Sequence, residues 1–147
     1  MELGLVGKRV LITGSHRGTG LVTAEAFARE GAVVFVHGLE AGQAEPAAAR
    51  LVAAGHDARA VSGDPSQEAG ADAVAAALGD EGVDVLVNNY GIAAPGRWDD
   101  EGTGSWIAMY ERNVLSGVRL AKRLVPAMRR RGEGRVVFLG TVGSVRP

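Results

Sequence analysis

The chain has no cysteine among its 147 residues. A disulfide framework and thiolate chemistry are thereby excluded, and the composition fits a reducing, cytoplasmic setting. Histidine is sparse: His16, His37 and His56 have no partner at i,i+4 and no cysteine company, so no metal site is expected. No apolar run approaches the ~20 residues that span a bilayer. The N-terminal stretch "MELGLVGKRVLITG" has no basic region ahead of an apolar core, so no signal peptide and no membrane partner are expected. An excess of either charge is missing too, with 16 Lys and Arg against 17 Asp and Glu. The formal net charge is −1, which gives no global field toward nucleic acid or an anionic surface. No linker or repeat interrupts the chain, and a single domain over residues 1–147 is expected.

What is present is an alternation of short apolar runs with longer helical patterns. Strands are expected at 9–13, 33–37, 58–61, 83–88 and 135–139, each apolar on consecutive positions, as parallel strands covered on both faces are. Helices are expected at 18–30, 41–54, 67–78 and 103–131, with Gly31, Gly55, Gly79 and Gly132 placed as C-terminal stops. Strand–helix alternation of this kind implies an α/β fold with a parallel sheet and right-handed crossovers.

Between the first strand and the first helix lies "VLITGSHRGTG", with Gly14, Gly18 and Gly20 spaced G-x3-G-x-G. A pyrophosphate needs backbone N–H groups directed at it, no side chain in the way and the positive end of a helix dipole. Glycines at a strand–helix junction supply these conditions. The Walker pattern is absent, since no Gly-Lys-Ser/Thr follows. A glycine-rich turn with no ligand is the plain alternative.

The stretch "TGSHRGTG", covering Thr13, Gly14, Ser15, His16, Arg17, Gly18, Thr19 and Gly20, resembles the cofactor motif of the short-chain dehydrogenase/reductase family. "DVLVNNYG" resembles that family's Asn-Asn-Ala-Gly stretch after strand four, with Asn89, Tyr90 and Gly91 at the matching positions. Two such motifs meet where strand order reverses in a doubly wound sheet. The resemblance, most of all to the 3-oxoacyl carrier-protein reductase-like branch, implies a Rossmann-type doubly wound parallel sheet of strand order 3-2-1-4-5, truncated after strand five. It also implies hydride transfer between a nicotinamide cofactor and a small-molecule ketone or secondary alcohol, and a homo-oligomer for the complete protein.

The resemblance further directs attention to the residues after strand two, His37, Gly38 and Leu39. Gly38 stands where NAD-type members carry Asp, and Arg17 resembles the basic residue of NADP-type members, whereas Leu39 departs from their Arg. NADP(H) is therefore favoured over NAD(H). His37 either offers a hydrogen bond to the cofactor or serves the structure. Asp64 matches the position that accepts from the adenine amino group. Pro65 follows it and lacks the N–H the family uses there. Tyr90 replaces a small residue and either narrows the site or stacks.

Along 103–131, positions 106, 110, 113, 117, 121, 124 and 128 read Trp, Tyr, Asn, Gly, Ala, Leu, Met, so Asn113 interrupts an apolar stripe. An amide there needs partners. Either it bonds a neighbouring carbonyl or, as "ERNVLSGV" resembles the family segment, it holds a proton-relay water. Arg129, Arg130 and Arg131 are read as solvated residues complementing the helix dipole. The closing "GRVVFLGTV" resembles the fifth strand and the turn bearing the family's catalytic serine, with Thr141 at that position and Ser144 three residues late. The Tyr-x-x-x-Lys element of the family has no counterpart in the sequence, so the chain alone is expected to be inactive. A non-catalytic dinucleotide-binding or partner-binding module is the alternative.

Overall fold

The computed structural model describes residues 3–141. The elements run β1 (Arg9–Ile12), α1 (Gly18–Arg29), β2 (Val33–Gly38), α2 (Glu45–Ala53), β3 (Ala58–Ser62) and α3 (Glu68–Leu78). They continue with β4 (Val85–Asn88), α4 (Thr103–Tyr110), a π-helical turn (Glu111–Leu115), α5 (Ser116–Arg131) and β5 (Arg135–Phe138). Every pairing is parallel, in the order β3-β2-β1-β4-β5. This is the doubly wound Rossmann-type sheet expected from the sequence.

The consecutive apolar residues of β1 to β4 are divided between two cores because successive side chains leave opposite faces of a sheet. Val10, Ile12, Val34, Val36, Val85 and Val87 join the alanines of α1 and α2 on one face. Leu11, Phe35, Val61 and Leu86 join Val74 and Leu78 of α3 and Leu120, Leu124 and Met128 of α5 on the other. Strands with both faces covered have no polar alternation to show, which is why the runs read as continuous. The glycines at 31, 55, 79 and 132 all adopt positive φ, as expected of residues that end helices.

Two boundaries depart from expectation. Helix α2 begins at Glu45 rather than at 41, because the Gln43 side chain folds back and its Oε1 accepts the N–H groups of Leu39 and Glu40 at 2.8 and 3.2 Å. Pro46, in the first turn, suits a helix that starts just before it. The expected helix 103–131 is broken by the π-helical turn, whose extra residue rotates α4 against α5 by roughly 100°. The apolar stripe is accordingly split: Gly117, Leu124 and Met128 are buried, whereas Trp106 and Tyr110 are exposed.

The arginine run is also more than a solvated cap. Arg131 donates to the carbonyls of Glu81 and Val83 at 2.5 and 2.6 Å and pairs with Asp84 at 3.4 Å, pinning the end of α5 to the start of β4. Strand β5 pairs with β4 and, among the described residues, with no other strand. All four of its residues are exposed, so its apolar run is not covered on both faces as those of β1 to β4 are.

Candidate functional site

The carboxyl ends of β1, β2, β3 and β4 lie side by side, and the segments leaving them converge. The first is the glycine turn. Its opening residues are held inward by His37, the penultimate residue of β2. The Gly14 N–H donates to His37 Nδ1 at 3.0 Å, and the N–H groups of Ser15 and His16 donate to the His37 carbonyl at 3.0 and 3.2 Å. The Ser15 hydroxyl donates to the Ile12 carbonyl at 2.7 Å and accepts the His37 N–H at 2.9 Å. Ser15 and His37 are fully buried. Both expected cofactor contacts are therefore braces within the protein, and the ring of His37 has its second nitrogen, Nε2, 2.9 Å from the Gly63 carbonyl.

The second half of the turn has the opposite character. Arg17, Gly18 and Thr19 are exposed. Helix α1 has no side-chain cap and no acidic residue in its first turn, so the positive end of its dipole faces outward. Gly18 has φ +57°, and a Cβ placed there would meet nothing within 4 Å. Gly20 is the reverse case: a Cβ would lie 2.5 Å from the Gly14 carbonyl oxygen and 2.6 Å from Asn89 Nδ2. One glycine thus keeps space for a ligand and the other lets the helix approach its own turn.

Thr13 ties β1 to the end of β4. Its buried hydroxyl accepts the N–H groups of Asn89 and Tyr90 at 3.0 and 2.8 Å and lies 3.5 Å from Asn88 Oδ1. Asn89 in turn donates from Nδ2 to the carbonyls of Thr13 and Gly14 at 2.8 and 3.4 Å, so its amide nitrogen is committed to the turn. Thr13→Val, nearly isosteric, would leave two N–H groups without their acceptor. We expect a loss of about 2 kcal/mol in unfolding free energy, measured by urea denaturation. A loss within experimental error would show that water takes the place of the hydroxyl.

Asp64 and Pro65 follow β3 by two and three residues. Asp64 Oδ1 accepts the Ser66 N–H at 2.9 Å, and Pro65 is buried, so of the pair Asp64 is the more accessible. Tyr90 is half-buried beside the glycine turn, its Cα 3.3 Å from where a Cβ on Gly14 would stand. Burial, and after it the Asp64 carboxylate, push the Tyr90 phenol above its ordinary pKa, with Arg112 opposing. The phenol is consequently protonated at neutral pH and can donate. Gly38 and Leu39 sit against Gln43, whose Cβ would be 2.6 Å from a Cβ on Gly38.

Asn113 lies within the π-helical turn and both ends of its amide are used. Oδ1 accepts the Ile92 N–H at 2.8 Å and Nδ2 donates to the Met109 carbonyl at 3.0 Å. It therefore clasps the segment leaving β4 to the long helix, and Gly91 is close: a Cβ there would be 2.6 Å from Asn113 Oδ1. Thr141 is exposed after β5, whose Leu139 N–H donates to the Asn88 carbonyl at 3.1 Å. Ser144 lies outside the described residues.

An outward helix N-terminus, an open glycine and an exposed arginine lie together at this turn. On the same turn, His16 Nδ1 is buried without a hydrogen-bond partner among the described residues. The pattern of the short chain dehydrogenases matches residues 8–147. The chain belongs to this family.

Relatives and solved structures agree. The chain is 34% identical to the uncharacterized oxidoreductase YvaG of Bacillus subtilis, over 100% of its own length and 56% of that protein's. It is 33% identical to the rhamnolipids biosynthesis 3-oxoacyl-[acyl-carrier-protein] reductase of Pseudomonas aeruginosa, covering 96% of this chain and 57% of that one. Its fold superposes on L-sorbose reductase from Gluconobacter frateurii, solved with NADPH and L-sorbose, with a TM-score of 0.94 and 35% identity, covering 100% of this chain and 57% of the other. A gluconate 5-dehydrogenase from Burkholderia cenocepacia, solved with NADP and tartrate, gives a TM-score of 0.89 at 30% identity, covering 95% and 56%. The chain thus spans a little over half the length of each.

Within this short chain dehydrogenase site, sequence reading quoted Thr13 and Asn88 inside the two motifs without giving their side chains a role, and missed Gln43. Thr13 was within reach, because a polar residue closing an apolar strand needs a reason to be buried. Gln43 gave no signal, since its role depends on a loop folding back on itself.

Proposed function

We propose that these residues form a single, incomplete dinucleotide-binding domain of an NADP(H)-preferring oxidoreductase that interconverts a small-molecule ketone and a secondary alcohol. The observation that carries this reading is the divided glycine turn. The donors of Gly14 to His16 are used within the protein, whereas the α1 terminus has no cap and its Gly18 and Thr19 are exposed. Arg17 supports the choice of NADP(H): it is exposed beside this terminus and, among the described residues, its guanidinium has no ion pair. Gly38, which ends β2, carries no carboxylate to oppose a 2′-phosphate. The solved relatives that hold NADPH or NADP point the same way.

The bound nicotinamide supplies or accepts hydride. In this reading Gly18, Thr19 and Gly20 hold the pyrophosphate, Arg17 pairs with the 2′-phosphate and Asp64 accepts from the adenine. Asn113 fixes the segment after β4, and the Thr141 hydroxyl polarises the substrate carbonyl. Asn113 and Thr141 belong to segments after neighbouring strands, which supports a shared cavity. The proton comes from a tyrosine outside these 147 residues, so the chain alone turns over no substrate. The exposed Trp106, Ile107, Tyr110 and Val114 support a homo-oligomer. The absence of cysteine supports a cytoplasmic home.

Calorimetric titration with NADP and with NAD tests the reading. NADP is expected to bind about tenfold or more tightly, since a 2′-phosphate on an unpaired arginine adds at least one charge-assisted hydrogen bond. Tighter binding of NAD would overturn the cofactor choice, and binding of neither would overturn the function.

A further inference from the structure

We propose that His37 is a positioning residue for the phosphate cradle, which it shapes only as the neutral tautomer protonated on Nε2, so that protonation of Nδ1 releases the turn. The inference rests on the dinucleotide reading above and deepens it. The geometry fixes the tautomer. Nδ1 accepts the Gly14 N–H at 3.0 Å, so it carries no proton, and the proton sits on Nε2, which donates to the Gly63 carbonyl at 2.9 Å. The ring therefore joins the glycine turn after β1 to the turn after β3, while the carbonyl of the same residue receives the next two N–H groups. A second proton would place an N–H against the Gly14 N–H, in a ring with no access to water.

The surroundings agree. Burial lowers the His37 pKa from its ordinary value of 6.5, and His16 on the glycine turn lowers it further, while the Gly63 carbonyl and the Asp64 carboxylate oppose them. Among the described residues, His16 and Asp64 are the titratable side chains that act on the ring. Since the folded pKa lies below the unfolded one, the unfolded chain binds the proton more readily. The contribution of neutral His37 is complete above about pH 6.5 and is lost as pH falls from there toward the folded value.

Asparagine and glutamine separate the two ring contacts. His37→Asn sets an amide oxygen near the place of Nδ1 and keeps an acceptor for Gly14 without titrating. His37→Gln reaches the Nε2 place and keeps only the Gly63 contact. At about pH 7.5, calorimetric titration with NADP should find His37→Asn within about threefold of the unaltered chain and His37→Gln weaker by about tenfold or more. Melting temperatures between about pH 7.5 and 5.5 should fall less for His37→Asn than for the unaltered chain. Equal losses of affinity in both variants, or an unchanged fall of melting temperature with pH in His37→Asn, would overturn the proposal. If the unaltered chain binds neither NADP nor NAD, the functional reading fails, and the melting comparison still decides whether His37 holds the turn as a neutral ring.

Discussion

Gly20→Val should cost the chain its fold, whereas Gly18→Ala should leave the fold standing and remove the ligand. The two glycines are two residues apart in one motif, yet their surroundings are opposite. At Gly20 an added Cβ would lie 2.5 Å from the Gly14 oxygen, 2.6 Å from Asn89 Nδ2 and 2.8 Å from the Ser15 Cα, of which the first and last are backbone. Neither the strand end nor the turn can withdraw, because Thr13, Ser15 and Asn89 are bonded to one another and to β2 and β4. A branched side chain forces the helix away from the sheet, at about 3 kcal/mol or more, a large fraction of a small domain's stability. Gly18 has open space, so alanine there pays only for φ +57°, on the order of 1 kcal/mol. Its methyl would occupy the place proposed for the phosphate, and dinucleotide affinity should fall by at least about tenfold. Circular dichroism melts and calorimetric titration read the two effects separately. A folded Gly20→Val protein with an unchanged melting temperature would refute the packing argument, and undiminished binding by Gly18→Ala would remove the cradle from Gly18.

This contrast shows how far the sequence could be read. Three glycines between a strand and a helix state that backbone must come close to something, and strand–helix alternation states that the sheet is parallel, whereas the order of its strands is implied by the family resemblance. Which glycine meets protein and which meets ligand is decided by neighbours remote in sequence, such as Asn89 opposite Gly20. The same holds for His37. A lone histidine at a strand end carries no local signature, and its bonds run to Gly14 and Gly63, 23 and 26 residues away.

The π-helical turn escaped for a different reason. Helical spacing over 103–131 is genuine on either side of it, and a single extra residue in the hydrogen-bond ladder leaves no compositional mark. Its cause is visible in retrospect at Asn113, whose Nδ2 takes the Met109 carbonyl, a group that an α-helix would reserve for a backbone N–H. Both accounts of this asparagine considered from sequence invoked a hydrogen bond. The structure shows a carbonyl partner, and adds the Ile92 N–H that makes the residue a clasp between β4 and the long helix.

Expressed alone, residues 1–147 should associate with themselves or precipitate rather than remain a monomer. Strand β5 has an open edge of N–H and C=O groups, since among the described residues β4 is its only paired neighbour. Its two faces differ. Phe138 is directed toward α5, its ring 2.5 Å from where a Cβ on Gly117 would stand, yet it remains 53% exposed. Val137 and Leu139 leave the opposite face by alternation and are also exposed. A second apolar surface runs along α4 and the start of α5, where Trp106, Ile107 and Tyr110 are 60%, 63% and 56% exposed and no residue of α4 is buried. Helix α4 buries none of its residues, so association would give its apolar side chains a cover. Light scattering on the purified chain should give a mass well above 15.2 kDa. Val137→Lys with Leu139→Lys, which charges the uncovered face of β5 without touching the cores, should shift the chain toward monomer. Persistence of the large species in that double variant would move the association to the α4 surface, where Trp106→Glu is the corresponding change. A monodisperse monomer from the unaltered chain would refute association through either surface.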